Sequence, residues 1–152
     1  MNIYNGEIYQ AQLVVSGSKR GVHIVSHADV SDLPIIVGVV WYTAYAIFDQ
    51  DSGQQIGDIM FRAHNSAPWN TEDSADEDFV FWLEGSNATN IQVEMYCSDG
   101  KLGTPGGILV LCDIATIGNW EEPSPPPPEE FPWKWIAVGS GVAVLAVLLL
   151  RR

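Results

Sequence analysis

The sequence has few basic residues. Seven Lys and Arg stand against 19 Asp and Glu, which gives a formal net charge of −12 over 152 residues. The acids are spread along the chain, so this charge does not come from one tail. Binding of nucleic acid needs a basic patch that meets the phosphates, and the composition therefore argues against a nucleic-acid partner. The acidity favours a soluble, self-repelling surface.

Cysteine is also scarce, since the chain has only Cys97 and Cys112. Two cysteines are too few for a disulfide framework, and neither lies in a Cys/His cluster that would suggest zinc. The first 15 residues lack the basic start and unbroken apolar stretch of a secretory signal peptide, and Glu7 interrupts them. No conventional export signal is visible, and the compartment stays open.

Helical periodicity is absent up to about residue 120, where apolar residues recur at every second position between clusters of Gly, Asp, Asn and Pro. The predicted strands are residues 7–15, 21–28, 33–40, 41–48, 55–63, 78–85, 90–97 and 107–117. Seven or eight short strands without an amphipathic helix between them predict an all-β antiparallel sandwich over residues 1–120.

Three turn segments punctuate these strands. Residues 49–53 combine Asp side chains, which bond to their own backbone, with Gly53, which can adopt a positive φ, and they predict a hairpin. Residues 65–78, "NSAPWNTEDSADED", contain a proline and a run of acids that predict a loop and not a strand. Residues 98–107, "SDGKLGTPGG", separate the last two predicted strands.

A family resemblance follows from the order of these features. Trp41 in an apolar strand, the hairpin "FDQDSGQQIGD", the acidic loop, "DFVFWLEG" and "NIQVEMYC" resemble immunoglobulin-like modules of the fibronectin type III and CARDB kind. The resemblance spans residues 35–117 and is one of strand rhythm and turn placement. It implies a fold and a role as a surface module, and it implies no activity. Antibody-type domains differ, because here no earlier cysteine exists to pair across the sheets.

No catalytic constellation is found in the sequence. His23 and His27 are four residues apart, but in a strand they share a face at about 13 Å, too far for a joint site. His64 has no partner in any recognisable catalytic motif, and no glycine-rich phosphate loop or pair of acids is present. We therefore expect no enzymatic activity and no cofactor.

Weaker patterns each have an ordinary structural explanation. Asp49 and Asp51 begin like a calcium loop but lack the spacing and the closing glutamate of an EF-hand, which favours a turn. The acids of residues 72–78 are typical of a solvated loop rather than of a weak cation site. Asn87-Ala88-Thr89 fits a glycosylation sequon on a turn, which matters only after export.

The C-terminal segment has the composition of a spacer followed by a membrane anchor. Residues 121–130 are rich in Pro and Glu and predict an extended linker, and residues 131–152 predict one transmembrane helix in lipid. Interfacial aromatics, a lysine and two terminal arginines flank the apolar run: Trp133, Lys134, Trp135, Arg151 and Arg152. A buried core helix is the alternative. Gly139 and Ala143 are four residues apart and are a candidate surface for self-association of the helix.

These features lead to a functional hypothesis with one rival. The terminal arginines favour a cytoplasmic C-terminus, which predicts a single-pass protein with its domain outside, on a cell or virion surface, as in small surface or phage virion proteins. Such a module would act by contact or adhesion through its loops. Trp69 is the best candidate contact residue, although it could equally plug the end of the sandwich. The rival is a tail-anchored assembly scaffold with its domain in the cytoplasm or the virion interior.

The last two strands also predict a cysteine pair. A hairpin centred between Thr104 and Pro105 places Cys97 directly opposite Cys112, with both sulfurs in the core. Val110 and Ile114 would then share the face of Cys112. The pair would be a disulfide in an oxidising compartment and two apolar thiols in a reducing one.

Overall fold

The computed structural model describes residues 2–99 and 108–118, and this part of the chain contains seven strands and no helix. The strands are β1 (Ile3–Ser16), β2 (Lys19–Ser31), β3 (Val40–Asp49), β4 (Met60–Asn65), β5 (Glu72–Trp82), β6 (Ile91–Ser98) and β7 (Leu109–Ile117). The expected all-β fold is confirmed.

The strands form two antiparallel sheets. The first has the order β1-β2-β5 and the second β4-β3-β6-β7. The β2–β3 and β4–β5 loops lie at one end of the sandwich, because Val40 at the start of β3 pairs with Asn65 at the end of β4. Asp49 at the end of β3 pairs with Ile91, which pairs with Ile117, so the described part of β7 ends at the opposite end.

The core lies between the inner faces of the sheets. Alternation along β2 buries Val22, Ile24 and Ala28, and alternation along β6 does the same for its apolar residues. The largest fully buried side chains are Trp41, Tyr45, Ile24, Ile47, Ile91 and Met95. Burial of this apolar surface is the dominant stabilising contribution to such a fold.

The run of acids is a strand, and the loop predicted for residues 72–78 is wrong. Side chains alternate across β5, so Asp73 and Glu77 point inward while their neighbours face solvent. Asp73 accepts a hydrogen bond of 2.7 Å from Trp41 Nε1, and Glu77 lies 3.4 Å from His64 Nε2. Partners within the sandwich thus replace water for the inward carboxylates, and the outward ones stay hydrated.

The strand predicted for residues 33–40 is also wrong, because only Val40 belongs to one. Leu33 is buried, but Ile35, Ile36 and Val37 are exposed in the β2–β3 loop. Pro34 cannot donate a backbone hydrogen bond, which disfavours a paired strand here. The segment is instead tied to the β4–β5 loop.

The predicted linker (121–130) and membrane segment (131–152) lie outside the described residues. The same holds for the anchor and helix-packing residues Trp133, Lys134, Trp135, Gly139, Ala143, Arg151 and Arg152. The chain divides into two units, Met1–Trp120 and Glu121–Arg152, and all seven strands belong to the first. Within residues 2–99 and 108–118, no helix has the length and apolar character needed to cross a membrane.

Candidate functional site

Four large apolar side chains are exposed together at one end of the sandwich. Ile35, Ile36 and Val37 of the β2–β3 loop are 55%, 75% and 63% exposed, and Trp69 of the β4–β5 loop is 71% exposed. We call these four residues the apolar tip. An exposed apolar patch on a soluble domain commonly marks a contact surface, so the tip is the candidate functional site.

Backbone hydrogen bonds hold the two loops together. Trp69 N–H donates to the carbonyl of Ile35 at 3.0 Å, which places the tryptophan beside the aliphatic run. Ser66 N–H donates to the Val39 carbonyl at 2.9 Å, and Val39 N–H donates to Ser66 Oγ at 3.0 Å. Because Ser66 is buried, these bonds are shielded from water. The exposed side chains therefore stand on a fixed backbone.

Close approach and strain accompany this arrangement. A Cβ on Gly38 would lie 2.9 Å from the Ser66 carbonyl oxygen, so only glycine lets the loops meet here. Trp69 has a φ of 75°, in the left-handed region that is unfavourable for a bulky residue. Such strain persists where surrounding structure enforces it and is found preferentially at binding and switch regions. An indole that is both strained and exposed favours a role in contact.

Acidic residues border the apolar tip. Asp32 at the start of the β2–β3 loop and Glu72 at the start of β5 are both exposed. The Lys and Arg residues in the described part of the chain are Lys19, Arg20 and Arg62. Lys19 and Arg20 begin β2 at the opposite end of the sandwich, and Arg62 Nε lies 3.8 Å from a carboxylate oxygen of Glu77. The charged residues closest in sequence to the two halves of the tip, Asp32 and Glu72, are therefore acidic.

Two roles were predicted for Trp69, contact with a partner and closure of the end of the sandwich. Its exposed side chain is compatible with contact and not with closure.

The three aliphatic residues of the tip were missed, because residues 33–40 were assigned to a strand. Two signals in the sequence pointed to a loop: Pro34, and the unbroken apolar run from Ile35 to Val37, which shows none of the alternation of the neighbouring strands.

The two histidines of β2 share one face of the strand, as predicted, and this is the outer face of the first sheet, where each has its own acidic partner. His27 Nδ1 lies 2.6 Å from Asp76 and Nε2 lies 3.0 Å from Asp29. His23 Nε2 lies 2.6 Å from Asp78. The hydrogen bond to Asp76 is the largest cause that raises the pKa of His27; burial opposes it and Asp29 adds to it.

This geometry predicts a pH dependence of stability. The pKa of His27 is higher in the folded chain than its ordinary 6.5, so its stabilising contribution is full below that value and is lost as the pH rises through the folded pKa. His27→Gln should therefore destabilise the domain more at about pH 5.5 than at about pH 8.5, as measured by urea unfolding at both values. Asp76→Asn is the matched control and should weaken the same dependence. An equal loss at both pH values contradicts the prediction.

His64 is on β4 and lies next to β5. Its Nε2 lies 3.0 Å from Thr43 Oγ1 and 3.4 Å from Glu77. Burial is the main cause that lowers the pKa of His64, and the nearby Glu77 carboxylate partly opposes it. Both contacts are made by the same ring nitrogen of His64, and Thr43 is fully buried. His64 therefore cannot relay a proton from Thr43 to Glu77.

The remaining polar motifs are structural in their geometry. Asp49 accepts hydrogen bonds from Asp51 N at 3.0 Å and Ser52 Oγ at 2.8 Å, and Gly53 has a φ of 71°, which confirms the predicted turn. Residues 2–99 and 108–118 contain no group of three or more His, Cys, Asp or Glu side chains arranged to hold a metal. Asn87 is exposed in the β5–β6 loop.

The cysteine pair is close, but its predicted register is wrong. Cys97 pairs with Val110, not with Cys112, and a bulge interrupts the β6–β7 ladder between Met95 and Tyr96. The bulge brings Cys112 Sγ to 3.0 Å from Cys97 Sγ. Val110 and Ile114 are exposed, so they do not share a core face with Cys112.

Comparison with known proteins identifies no family. No protein-family model matches the chain, and no curated protein matches it. Among solved structures, the chain is similar to the X-ray structure of a Northeast Structural Genomics Consortium target, at 11% identity and a TM-score of 0.37 over 86% of this chain and 92% of that chain. A likeness at this level assigns neither fold nor function.

Proposed function

We propose that the protein is a membrane-anchored display module that binds a protein partner through its apolar tip. The domain faces outward on a cell or virion surface, and residues 131–152 form the anchor in lipid. The observation that carries this proposal is the pair of loops whose backbones are bonded to each other while their apolar side chains stay exposed. Such preorganisation lowers the cost of ordering a contact surface on binding.

The position of the tip suits display. Ile117, the last residue of β7, lies at the opposite end of the sandwich from the β2–β3 and β4–β5 loops. The last described residues therefore lie away from the apolar tip. A partner that contacts the loops of the tip would not meet this end of the described chain.

We also propose that the sandwich is immunoglobulin-like. Strands 1, 2 and 5 form one sheet and strands 3, 6 and 7 share the other, as A, B, E and C, F, G do in that fold, and β4 lies beside β3 where variable-type domains place C′. Trp41 on β3 is fully buried, which supports the same assignment because strand C carries the core tryptophan. The missing cross-sheet cysteine pair separates this chain from antibody domains.

A tail-anchored scaffold is the second candidate, because the exposed apolar tip on a fixed backbone is equally compatible with it. In this case the same apolar tip would bind an assembly partner in the cytoplasm or the virion interior. The two proposals share a contact surface and differ in the side of the membrane on which it lies.

Protease access distinguishes these two proposals. We expect a protease added to intact cells or particles to release the domain by cutting in residues 121–130, because proline-rich spacers are exposed and lack the packing that protects a folded domain. Immunoblotting for the released domain is the measurement, and permeabilised membranes are the control. Protection that ends only on permeabilisation would replace display by the tail-anchored scaffold.

A further inference from the structure

The pair Cys97 and Cys112 joins β6 to β7 at a bulge. The two sulfurs are 3.0 Å apart, and both cysteines are free thiols. Cys97 is fully buried, whereas Cys112 is partly exposed at the edge of the sheet. We propose that these thiols are a site of oxidative modification, at which a low-molecular-weight disulfide such as glutathione disulfide converts them into an intramolecular disulfide.

The bulge creates the pair. Met95 is paired with Asp113 and Tyr96 with Leu111, so Cys112 is the extra residue of β7 and is left without a ladder partner. Its side chain points to β6 rather than away from it, since its Sγ contacts that of Cys97. An uninterrupted ladder would have kept the cysteines in fixed pairs with other residues, and the bulge is what allows the sulfurs to meet.

The neighbouring strand β1 is shaped to accommodate this contact. A Cβ at Gly6 would lie 2.9 Å from the Cβ of Cys112 and 3.1 Å from the Cε of Met95. Asp113, next to Cys112, accepts a hydrogen bond of 2.7 Å from Ile8 N–H, which fixes β7 against β1. Glycine at position 6 and the Asp113 carboxylate thus hold Cys112 against Cys97 with little freedom to move.

The two thiols have different chemical roles. The hydrogen bond between the two thiols is the main cause that lowers the pKa of Cys112, and the same contact together with burial raises the pKa of Cys97. A thiolate is the attacking form in disulfide exchange. Cys112, which is also the more exposed thiol, is therefore the group that meets the oxidant.

The reaction balances in two exchanges. The Cys112 thiolate attacks one sulfur of glutathione disulfide, forms a mixed disulfide and expels one glutathione thiolate. Cys97 then loses its proton to water, and its thiolate attacks Cys112 Sγ and expels the second glutathione thiolate. The two protein thiols lose two electrons, which reduce glutathione disulfide to two glutathione molecules. The proximity of the sulfurs makes the second exchange fast, because it is intramolecular.

The test uses the full chain in mild detergent. After treatment with glutathione disulfide, the chain is denatured in N-ethylmaleimide and its intact mass is measured. We expect no maleimide and no glutathione on the oxidised chain, two maleimides on the untreated chain, and a melting temperature roughly 10 °C higher after oxidation, because the bond closes a loop of about 15 residues. Two accessible thiols after treatment, or a persistent glutathione adduct, would overturn the proposal.

Single variants separate the roles of the two thiols and keep the test valid if one variant folds poorly. Cys97→Ser should trap the mixed disulfide, so one glutathione remains on Cys112. Cys112→Ser should leave the buried Cys97 unreacted in the folded chain. Equal glutathionylation of the two variants in their folded form would show that Cys112 has no preference for the oxidant and would contradict the assigned order of attack.

Discussion

Replacing Trp41 with alanine is expected to lower the free energy of unfolding by about 4 kcal/mol, because truncation of a buried tryptophan usually costs 3–5 kcal/mol through lost transfer energy and a cavity. Trp41 is fully buried, and its ring centroid lies 4.6 Å from that of His64 and 6.4 Å from that of Tyr4. The variant also leaves Asp73 without the hydrogen bond from Nε1. Urea unfolding monitored by circular dichroism measures the loss.

Trp69→Ala is the matched control, since it removes the same side chain from an exposed position. We expect a change of less than about 1 kcal/mol, because surface substitutions away from packed contacts have small effects. A loss at Trp69 as large as that at Trp41 would show that the indole of the tip supports the fold, and the contact surface would have to be sought elsewhere.

The second large effect is expected on binding. Trp69→Ser should weaken the complex with the partner by at least about 30-fold, because truncation of a central aromatic contact residue costs 2 kcal/mol or more and each 1.4 kcal/mol is a factor of ten. Ile36→Ser removes the most exposed aliphatic residue of the tip and should also weaken binding. The double variant should bind no better than either single variant. Titration of the full chain against the isolated partner measures these losses.

Tyr9→Ser provides the control for binding. Tyr9 is 60% exposed, like the tip residues, but it lies on the outer face of the first sheet, where its ring stacks on His27. Its substitution should leave the dissociation constant unchanged. A weaker complex in the Tyr9 variant and an unaffected complex in the Trp69 variant would move the binding surface from the loops to the sheet.

Much of the fold follows from alternation in the sequence, and the errors have identifiable causes. Strands β2 and β6 were predicted because apolar residues recur at every second position and bury one face. Strand β3 was also predicted, and it is buried on both faces over residues 43–47. The second half of β5 was predicted as part of the strand at residues 78–85, but residues 72–77 were missed because the inward carboxylates of Asp73 and Glu77 find partners on other strands. Such tertiary partners cannot be read from local charge.

The site could be predicted only in part for a similar reason. Trp69 was identified from loop composition, but Ile35 and Ile36 were assigned to a strand because apolarity alone does not distinguish a buried run from an exposed one. The bond between Trp69 N–H and the Ile35 carbonyl, which ties this loop to the β4–β5 loop, joins residues far apart in sequence. The β6–β7 bulge likewise leaves no local signal, so the predicted cysteine register was wrong while their proximity was right.

Site-specific photo-cross-linking on intact cells or particles is the most direct test of the apolar tip as a contact surface, because it captures a bound partner whatever its identity. A photo-reactive phenylalanine analogue is placed in turn at Ile36, at Trp69 and, as a control of similar exposure, at Tyr9. We expect the same discrete protein adduct from both tip positions and none from Tyr9. Adducts from Tyr9 alone, or from none of the three positions while the protein is present in its assembly, would contradict a contact role for the apolar tip.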